Sequence, residues 1–112
     1  MNLTIPLKTV SLLNQREVWQ RTAARKKLQR DVVTRHLEGY PKPTPPCTIF
    51  LTRIAPGRLD PHDNLPSSMK HVVDAIAAWM GVDDGDGRLR WLYDQKTAPR
   101  GIYAVRIEIV EG

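Results

Sequence analysis

The stretch that decides the fold is residues 47–54, which read Cys-Thr-Ile-Phe-Leu-Thr-Arg-Ile. Its β-branched and aromatic side chains predict a strand, and its apolar content predicts a central position in a sheet. Cys47 is therefore expected to be buried, which gives no support for cysteine catalysis. Because the chain has 1 cysteine, it forms no internal disulfide, and this fits a reducing compartment.

The residues before this strand predict an edge strand and a long helix. Alternating apolar residues over 2–7 favour a short strand, and Pro6 either places it at a sheet edge or ends it, because proline has no amide hydrogen. Residues 11–38 predict a helix that begins at Ser11 or Asn14. Its expected apolar side is formed by Val18, Ala24, Leu28, Val32 and Leu37.

The residues after the strand predict a second helix and two more strands. Apolar residues recur with helical spacing over 67–80, where Ser67 or Ser68 would supply the N-cap and Gly81 the C-terminal end. Alternation over 89–93 and 103–109 predicts two strands joined by a hairpin loop at 96–101. The expectation is one α+β domain over residues 1–112, ordered β-α-β-α-β-β, with a small mixed sheet packed by two helices.

Composition and charge restrict the class of protein. With 41% hydrophobic and 26% charged residues, the chain has globular composition and is not expected to be disordered. No apolar run reaches the ~18 residues of a membrane span, and the N-terminus lacks a signal-peptide pattern. We therefore expect no membrane association and a cytoplasmic location. The net charge of +5 favours a polyanionic partner, with nucleic acid first.

Most of the positive charge lies in the first predicted helix. Seven cations in residues 16–38 face three acids, so this segment carries four of the five net positive charges. Such a helix is either a phosphate-binding surface or a solvated face. The candidate DNA-binding cations are Arg16, Arg21, Arg25, Lys26, Lys27 and Arg30, together with Arg88.

The acidic residues fall into two groups that flank the second predicted helix. Asp60 and Asp63 lie in the loop before it, and a second group (Asp83, Asp84 and Asp86) lies in the turn after it. The helix separates the groups by roughly 20 Å, so they meet only if the turn folds back. Together they would suit Mg²⁺ or Mn²⁺, whereas singly each is also good turn chemistry.

Lys70 lies near the first acidic group in sequence. In the first turn of the helix, it either pairs with Asp74 four residues later or stabilises charge on a phosphate. A basic surface around an acidic metal site is the electrostatic pattern of a nuclease.

The residues 59–65 (Leu-Asp-Pro-His-Asp-Asn-Leu), followed by Lys70, Asp74-Ala75-Ile76 and Gly81-Val82-Asp83-Asp84, resemble the RusA-like Holliday junction resolvases. The resemblance implies a small homodimeric, Mg²⁺-dependent endodeoxyribonuclease of recombination and repair, of a kind often carried by phages and prophages. It implies Asp60, Asp63 and Asp84 as metal ligands, with Asp83 as the less favoured choice for the third, and Lys70 as the catalytic lysine. These four residues form the expected catalytic set, and branched, four-way DNA is the expected substrate.

The chain differs from that family pattern in its first acidic pair. The family has one residue between the two acids, whereas Pro61 and His62 stand between Asp60 and Asp63. Three readings of the function therefore stay open. One is a junction-cleaving nuclease, and another is a non-catalytic nucleic-acid-binding protein of the same fold whose metal site is degenerate. A basic accessory protein whose acids are turn residues is the third reading.

Overall fold

The computed structural model describes residues 1–9 and 19–112, with residues 19–22 described by their backbone alone. Strands and helices follow one another along this part of the chain as β1 (Asn2–Ile5), α1 (Trp19–Leu37), β2 (Cys47–Ala55), α2 (Asn64–Ser68), α3 (Lys70–Met80), β3 (Leu89–Thr97) and β4 (Ala104–Glu111). The strands form a mixed sheet in the order β1-β4-β2-β3. The predicted α+β class and element order are confirmed, with the short helix α2 added.

Strand β2 occupies the centre of the sheet, as its composition predicts. It pairs in parallel with β3 from Cys47↔Leu89 onward, and antiparallel with β4 from Cys47↔Glu111. Strand β1 pairs antiparallel with β4 at the edge of the sheet, where Pro6 predicts it. A parallel β2–β3 pair requires a crossover, and α2 and α3 provide it.

The predicted hairpin at residues 96–101 is wrong. Strands β3 and β4 follow each other in sequence, but β2 lies between them in the sheet. Neighbouring strands in sequence often pair, and the alternating pattern alone does not distinguish that case from this one. Here β2 is the most apolar strand, so β3 and β4 each pair with one of its edges, and the connection passes across its end.

Helices cover one face of the sheet. Ile49 and Leu51 of β2 are fully buried and share a core with Val72 and Ile76 of α3. Cys47 lies in the same core, as predicted, and burial raises the pKa of its thiol. The alternate side chains of β2 point to the opposite face, where Phe50 is 37% exposed.

The second predicted helix begins later than expected and has no serine cap. Helix α3 starts at Lys70, and its N-cap is Met69, which makes no side-chain capping bond. Ser68 ends the separate helix α2, where its hydroxyl donates to the carbonyl of Leu65 at 2.7 Å. The C-terminal prediction is confirmed, because Gly81 closes α3 in the left-handed region with φ +76°.

Helix α1 packs a stripe that matches the predicted one only in part. Over residues 23–37 its buried positions are Gln29, Val33 and Leu37, four residues apart. The prediction is confirmed for Leu37 and for Val32, which is half-buried against the core, whereas Ala24 is exposed and Leu28 is 63% exposed. The predicted start at Ser11 or Asn14 and the position of Val18 lie outside the described residues. Among the described helices, none is long and apolar enough to span a membrane.

Candidate active site

The first acidic group forms a turn directly before α2. The Asp60 carboxylate accepts a hydrogen bond from the Asp63 amide at 2.9 Å, and the Asp60 carbonyl accepts one from the Leu65 amide at 2.8 Å. Short acidic side chains commonly bond to the backbone ahead of them in this way. The bond from the Asp63 amide is the main cause that lowers the pKa of Asp60, so this exposed carboxylate carries its charge at neutral pH.

Side chains of the sheet hold the loop that leads into this turn. The Gln95 side chain in β3 accepts a hydrogen bond from the Leu59 amide at 2.9 Å and donates one to the Leu59 carbonyl at 2.8 Å. From β2, Arg53 donates to the carbonyl of Gly57 at 2.7 Å. The sequence pattern gave no sign of the Gln95 contacts, because they join residues 36 apart along the chain.

The second acidic group folds into a tight turn between α3 and β3. The Asp83 carboxylate accepts a hydrogen bond from the Gly85 amide at 2.8 Å. The Asp86 carboxylate accepts one hydrogen bond from the Arg88 amide and two from the Arg88 guanidinium, the latter at 3.1 and 2.8 Å. This pairing with Arg88 lowers the pKa of Asp86 to about 2. Arg88, a predicted DNA-binding cation, therefore already pairs with a carboxylate.

Lys70 brings the start of α3 and the second acidic turn together. Its Nζ lies 3.3 Å from a carboxylate oxygen of Asp74 and 3.8 Å from one of Asp84. The turn after α3 therefore folds back far enough for Asp84 to reach the first residue of that helix. The indole of Trp91 in β3 stabilises this position, because its Nε1 donates to the Asp84 carbonyl at 2.9 Å.

The two carboxylates influence the lysine they flank. The hydrogen bond and charge of Asp74, followed by the charge of Asp84, raise the pKa of Lys70. Lys70 is exposed and remains protonated at neutral pH, so its ammonium can bind an anionic oxygen. Beside it, burial and then the charge of Asp84 raise the pKa of Tyr93. Tyr93 is a half-buried neighbour of this pair that sequence patterns did not identify.

The predicted metal ligands do not form one set in this structure. Within residues 1–9 and 19–112, no group of three or more His, Cys, Asp or Glu side chains is placed to hold a metal ion. The Asp60 carboxylate bonds to its own turn, and that of Asp84 lies beside Lys70. The structure therefore brings Lys70 and Asp84 together and separately keeps Asp60 beside Asp63.

The basic residues of α1 form an open groove on the helix layer. Its lining includes the exposed lysines Lys26 and Lys27 and the half-buried Arg30, with Asp31 as the acid among them. Arg25 lies on the same helix, directly before Lys26, and is half-buried. Of the other predicted cations, Arg16 lies outside the described residues, and Arg21 is described by its backbone alone.

His71 lies where α1 packs against α3, one residue after Lys70. It is 93% buried, and among the described residues neither ring nitrogen has a hydrogen-bond partner. Burial lowers the pKa of His71, and the charges of Lys26, Arg30 and Lys70 lower it further against the opposing effect of Asp74. The groove cations are thus close enough to the start of α3 to influence its histidine.

The sequence has been compared with protein-family models and with curated proteins. No family model and no curated protein matches it. The resemblance described above therefore depends on the motif residues themselves and on their order along the chain.

Proposed function

We propose that the protein is a Mg²⁺-dependent, structure-selective endodeoxyribonuclease that resolves four-way DNA junctions as a homodimer, in the cytoplasm of a bacterium or phage-infected cell. The observation that carries the proposal is the 3.8 Å approach of Lys70 to Asp84. The motif assigns these residues as catalytic lysine and metal ligand; Lys70 is the first residue of α3, and Asp84 lies in the turn after its last residue. Their proximity supports a shared site.

The chain's own residues have distinct roles in this proposal. Lys26, Lys27 and Arg30 bind backbone phosphates electrostatically, without reading sequence. Lys70 places its ammonium beside the scissile phosphate, where it stabilises the negative charge that develops as the P–O bond breaks. Asp74 holds Lys70 in place through their 3.3 Å contact.

The metal requirement is the part of the proposal that the motif supports and the geometry does not. Asp60, Asp63 and Asp84 would supply the oxygen ligands, with Mn²⁺ as an alternative ion. A bound ion would polarise a phosphoryl oxygen of the substrate. In this structure the Asp60 carboxylate closes a turn and the Asp84 carboxylate lies beside Lys70, so a shared metal site requires these carboxylates to rearrange.

A cleavage assay tests the proposal. We would incubate the protein with a labelled four-way junction or a matched linear duplex, in Mg²⁺, Mn²⁺ or EDTA. Metal-dependent paired nicks in the junction are expected, and Asp84→Asn is expected to abolish them. Asp94→Asn serves as the control, because it neutralises an exposed acid in β3 that has no place in the motif. Binding of the junction without cleavage under every metal condition would refute the proposed nuclease activity.

A non-catalytic nucleic-acid-binding protein is the second candidate. The specific observation in its favour is the turn closed by Asp60 around Pro61 and His62, which uses the first expected ligand structurally. This candidate predicts junction binding that Asp84→Asn leaves unchanged, and no cleavage. It also predicts that millimolar Mg²⁺ does not raise the melting temperature, whereas a metal site would raise it in a manner lost in Asp60→Asn.

A further inference from the structure

Strand β3 carries a row of polar side chains on the face of the sheet that the helices cover. Trp91, Tyr93 and Gln95 form this row, and in the register of the sheet each pairs with a buried residue of β2. Side chains two residues apart on a strand point to the same face and stand about 6.6 Å apart. The row lies at an edge of the sheet, because β3 pairs with no described strand on its other side.

The two outer members of this row hold the chain at the two acidic groups. The Trp91 indole donates a hydrogen bond to the Asp84 carbonyl at 2.9 Å. The Gln95 side chain bonds to both the amide and the carbonyl of Leu59, directly before the first acidic group. Tyr93 is the middle member of the row, so it lies between the segments that carry the two acidic groups.

Within the described part of the chain, the Tyr93 hydroxyl has no hydrogen-bond partner. The residue is half-buried and packs against the core. The Trp91 indole and the Gln95 amide on either side both use their donors on the backbone of the acidic segments. Because the polar tip of a buried tyrosine usually finds a partner, a free hydroxyl at this place is available to a ligand.

Lys70 supplies a positive charge near this hydroxyl. Burial raises the pKa of Tyr93, the charge of Asp84 raises it further, and the charge of Lys70 opposes both effects, so both charged groups lie near the phenol. The exposed ammonium lies between two carboxylates, 3.3 Å from that of Asp74 and 3.8 Å from that of Asp84. Two carboxylates outweigh one ammonium, so an anion that binds here needs a further donor. The Tyr93 hydroxyl can be that donor.

An ammonium and a neutral hydroxyl close together suit a phosphodiester. Its single negative charge is shared by two non-bridging oxygens, so one oxygen can face the ammonium while the other accepts a hydrogen bond. Tyrosine hydroxyls are among the groups that bind phosphate oxygens in protein–DNA contacts. The free edge of β3 leaves this place open to a DNA strand.

We propose that Tyr93 is a further phosphate-binding residue of the candidate site, whose hydroxyl donates a hydrogen bond to a non-bridging oxygen of the phosphate that the Lys70 ammonium faces. This role rests on the proposed function only for the assignment of that phosphate as the scissile one. The contact itself requires only that DNA binds at this edge of the sheet.

The first test detects the contact without requiring cleavage. The chain is labelled with carbon-13 at the tyrosine Cζ atoms and carries Asp84→Asn, which keeps the DNA uncut and leaves the backbone bond from Trp91 in place. Four-way junction DNA is added in Mg²⁺. The Tyr93 resonance, assigned with Tyr93→Phe, is expected to shift, because a hydrogen bond to an anion changes the electron density at Cζ. Tyr103, half-buried before β4, is the internal control and is expected not to shift.

The second test measures what the contact contributes in the otherwise unchanged chain. Tyr93→Phe removes the hydroxyl and keeps the ring against the core, so the melting temperature is expected to stay the same. The single-turnover rate of junction cleavage is expected to fall about 10- to 100-fold, as for a lost hydrogen bond to a charged group. The Kd for the junction is expected to stay within about threefold, because the α1 cations supply most of the binding. Tyr103→Phe is the matched control and is expected to change none of these quantities.

The two tests separate this role from the nuclease activity. A bound junction that leaves the Tyr93 resonance unshifted overturns the contact, and so does a Tyr93→Phe chain that cuts at the wild-type rate. A junction that does not bind at all overturns both the contact and the proposed function. If the Tyr93 resonance shifts but the wild-type chain cuts nothing, the contact stands and the nuclease activity is refuted.

Discussion

Gly81 is the residue at which α3 ends and the acidic turn begins. Its φ of +76° lies in the left-handed region, where a side chain costs about 1–2 kcal/mol. Gly81→Ala is therefore expected to lower the free energy of unfolding by about 1–2 kcal/mol in urea denaturation. A Cβ at Gly81 meets nothing within 4 Å, so backbone strain is the sole cause of this loss.

Gly87 in the same turn provides the control for that substitution. It lacks a positive φ, and a Cβ there also meets nothing within 4 Å. Gly87→Ala is expected to change the free energy of unfolding by less than about 0.5 kcal/mol. Equal losses in the two variants would show that the conformation of Gly81 does not determine the cost.

At the residue level, sequence patterns identified the charged groups of the candidate site but not their partners. The spacing of Lys70 and Asp74 on one helix predicted their contact, because residues four apart face the same side. The approach of Asp84 to Lys70 depends on how the turn folds, and that depends on long-range contacts such as the bond from Trp91. Such contacts leave no periodic signal in a sequence.

At the level of elements, the strongest patterns were the most accurate. Val72 and Ile76 of α3 are fully buried at their predicted positions, and β2 is central because it is the most apolar strand. Helix α1 gave a weak pattern, since its buried stripe includes the polar Gln29, whose side chain donates to the Lys8 carbonyl. The predicted hairpin failed because alternation identifies a strand without identifying its neighbour.

The contact between α1 and α3 is expected to respond to acid through His71. Burial, together with nearby cations, lowers the folded-state pKa of His71 below the 6.5 typical of an unfolded chain. Below that pH the unfolded state binds a proton that the folded state does not. The contribution of His71 to the free energy of unfolding is therefore fully present above pH 6.5. It is lost as the pH falls toward the folded-state pKa, by up to about 1.4 kcal/mol per pH unit.

Urea denaturation as a function of pH measures this effect. His71→Leu keeps an apolar side chain at the buried position and is expected to remove the fall in stability just below pH 6.5. His62→Gln replaces an exposed histidine and controls for the loss of a histidine as such. If His71→Leu and the wild-type chain have the same pH profile, protonation of His71 does not contribute to acid unfolding.

The whole molecule separates its charge into distinct surfaces. The α1 groove is mostly cationic, while the sheet face opposite the helices carries both signs around Phe50. Counterion release predicts that each lost phosphate contact reduces the slope of log K against log salt by about 0.9. For the double variant Lys26→Gln/Arg30→Gln, we therefore expect the slope for duplex or junction DNA to become shallower by about two.

The contrast with exposed loop cations decides whether the groove is the binding surface. Lys42→Gln/Arg100→Gln removes the same amount of charge from two exposed loop positions, so it has the same effect on net charge. Fluorescence anisotropy over a range of salt concentrations measures both slopes. If net charge alone drove binding, the two double variants would weaken it equally. A local phosphate-binding surface on α1 requires the groove variant to change the slope and the loop variant to leave it within error of the wild type.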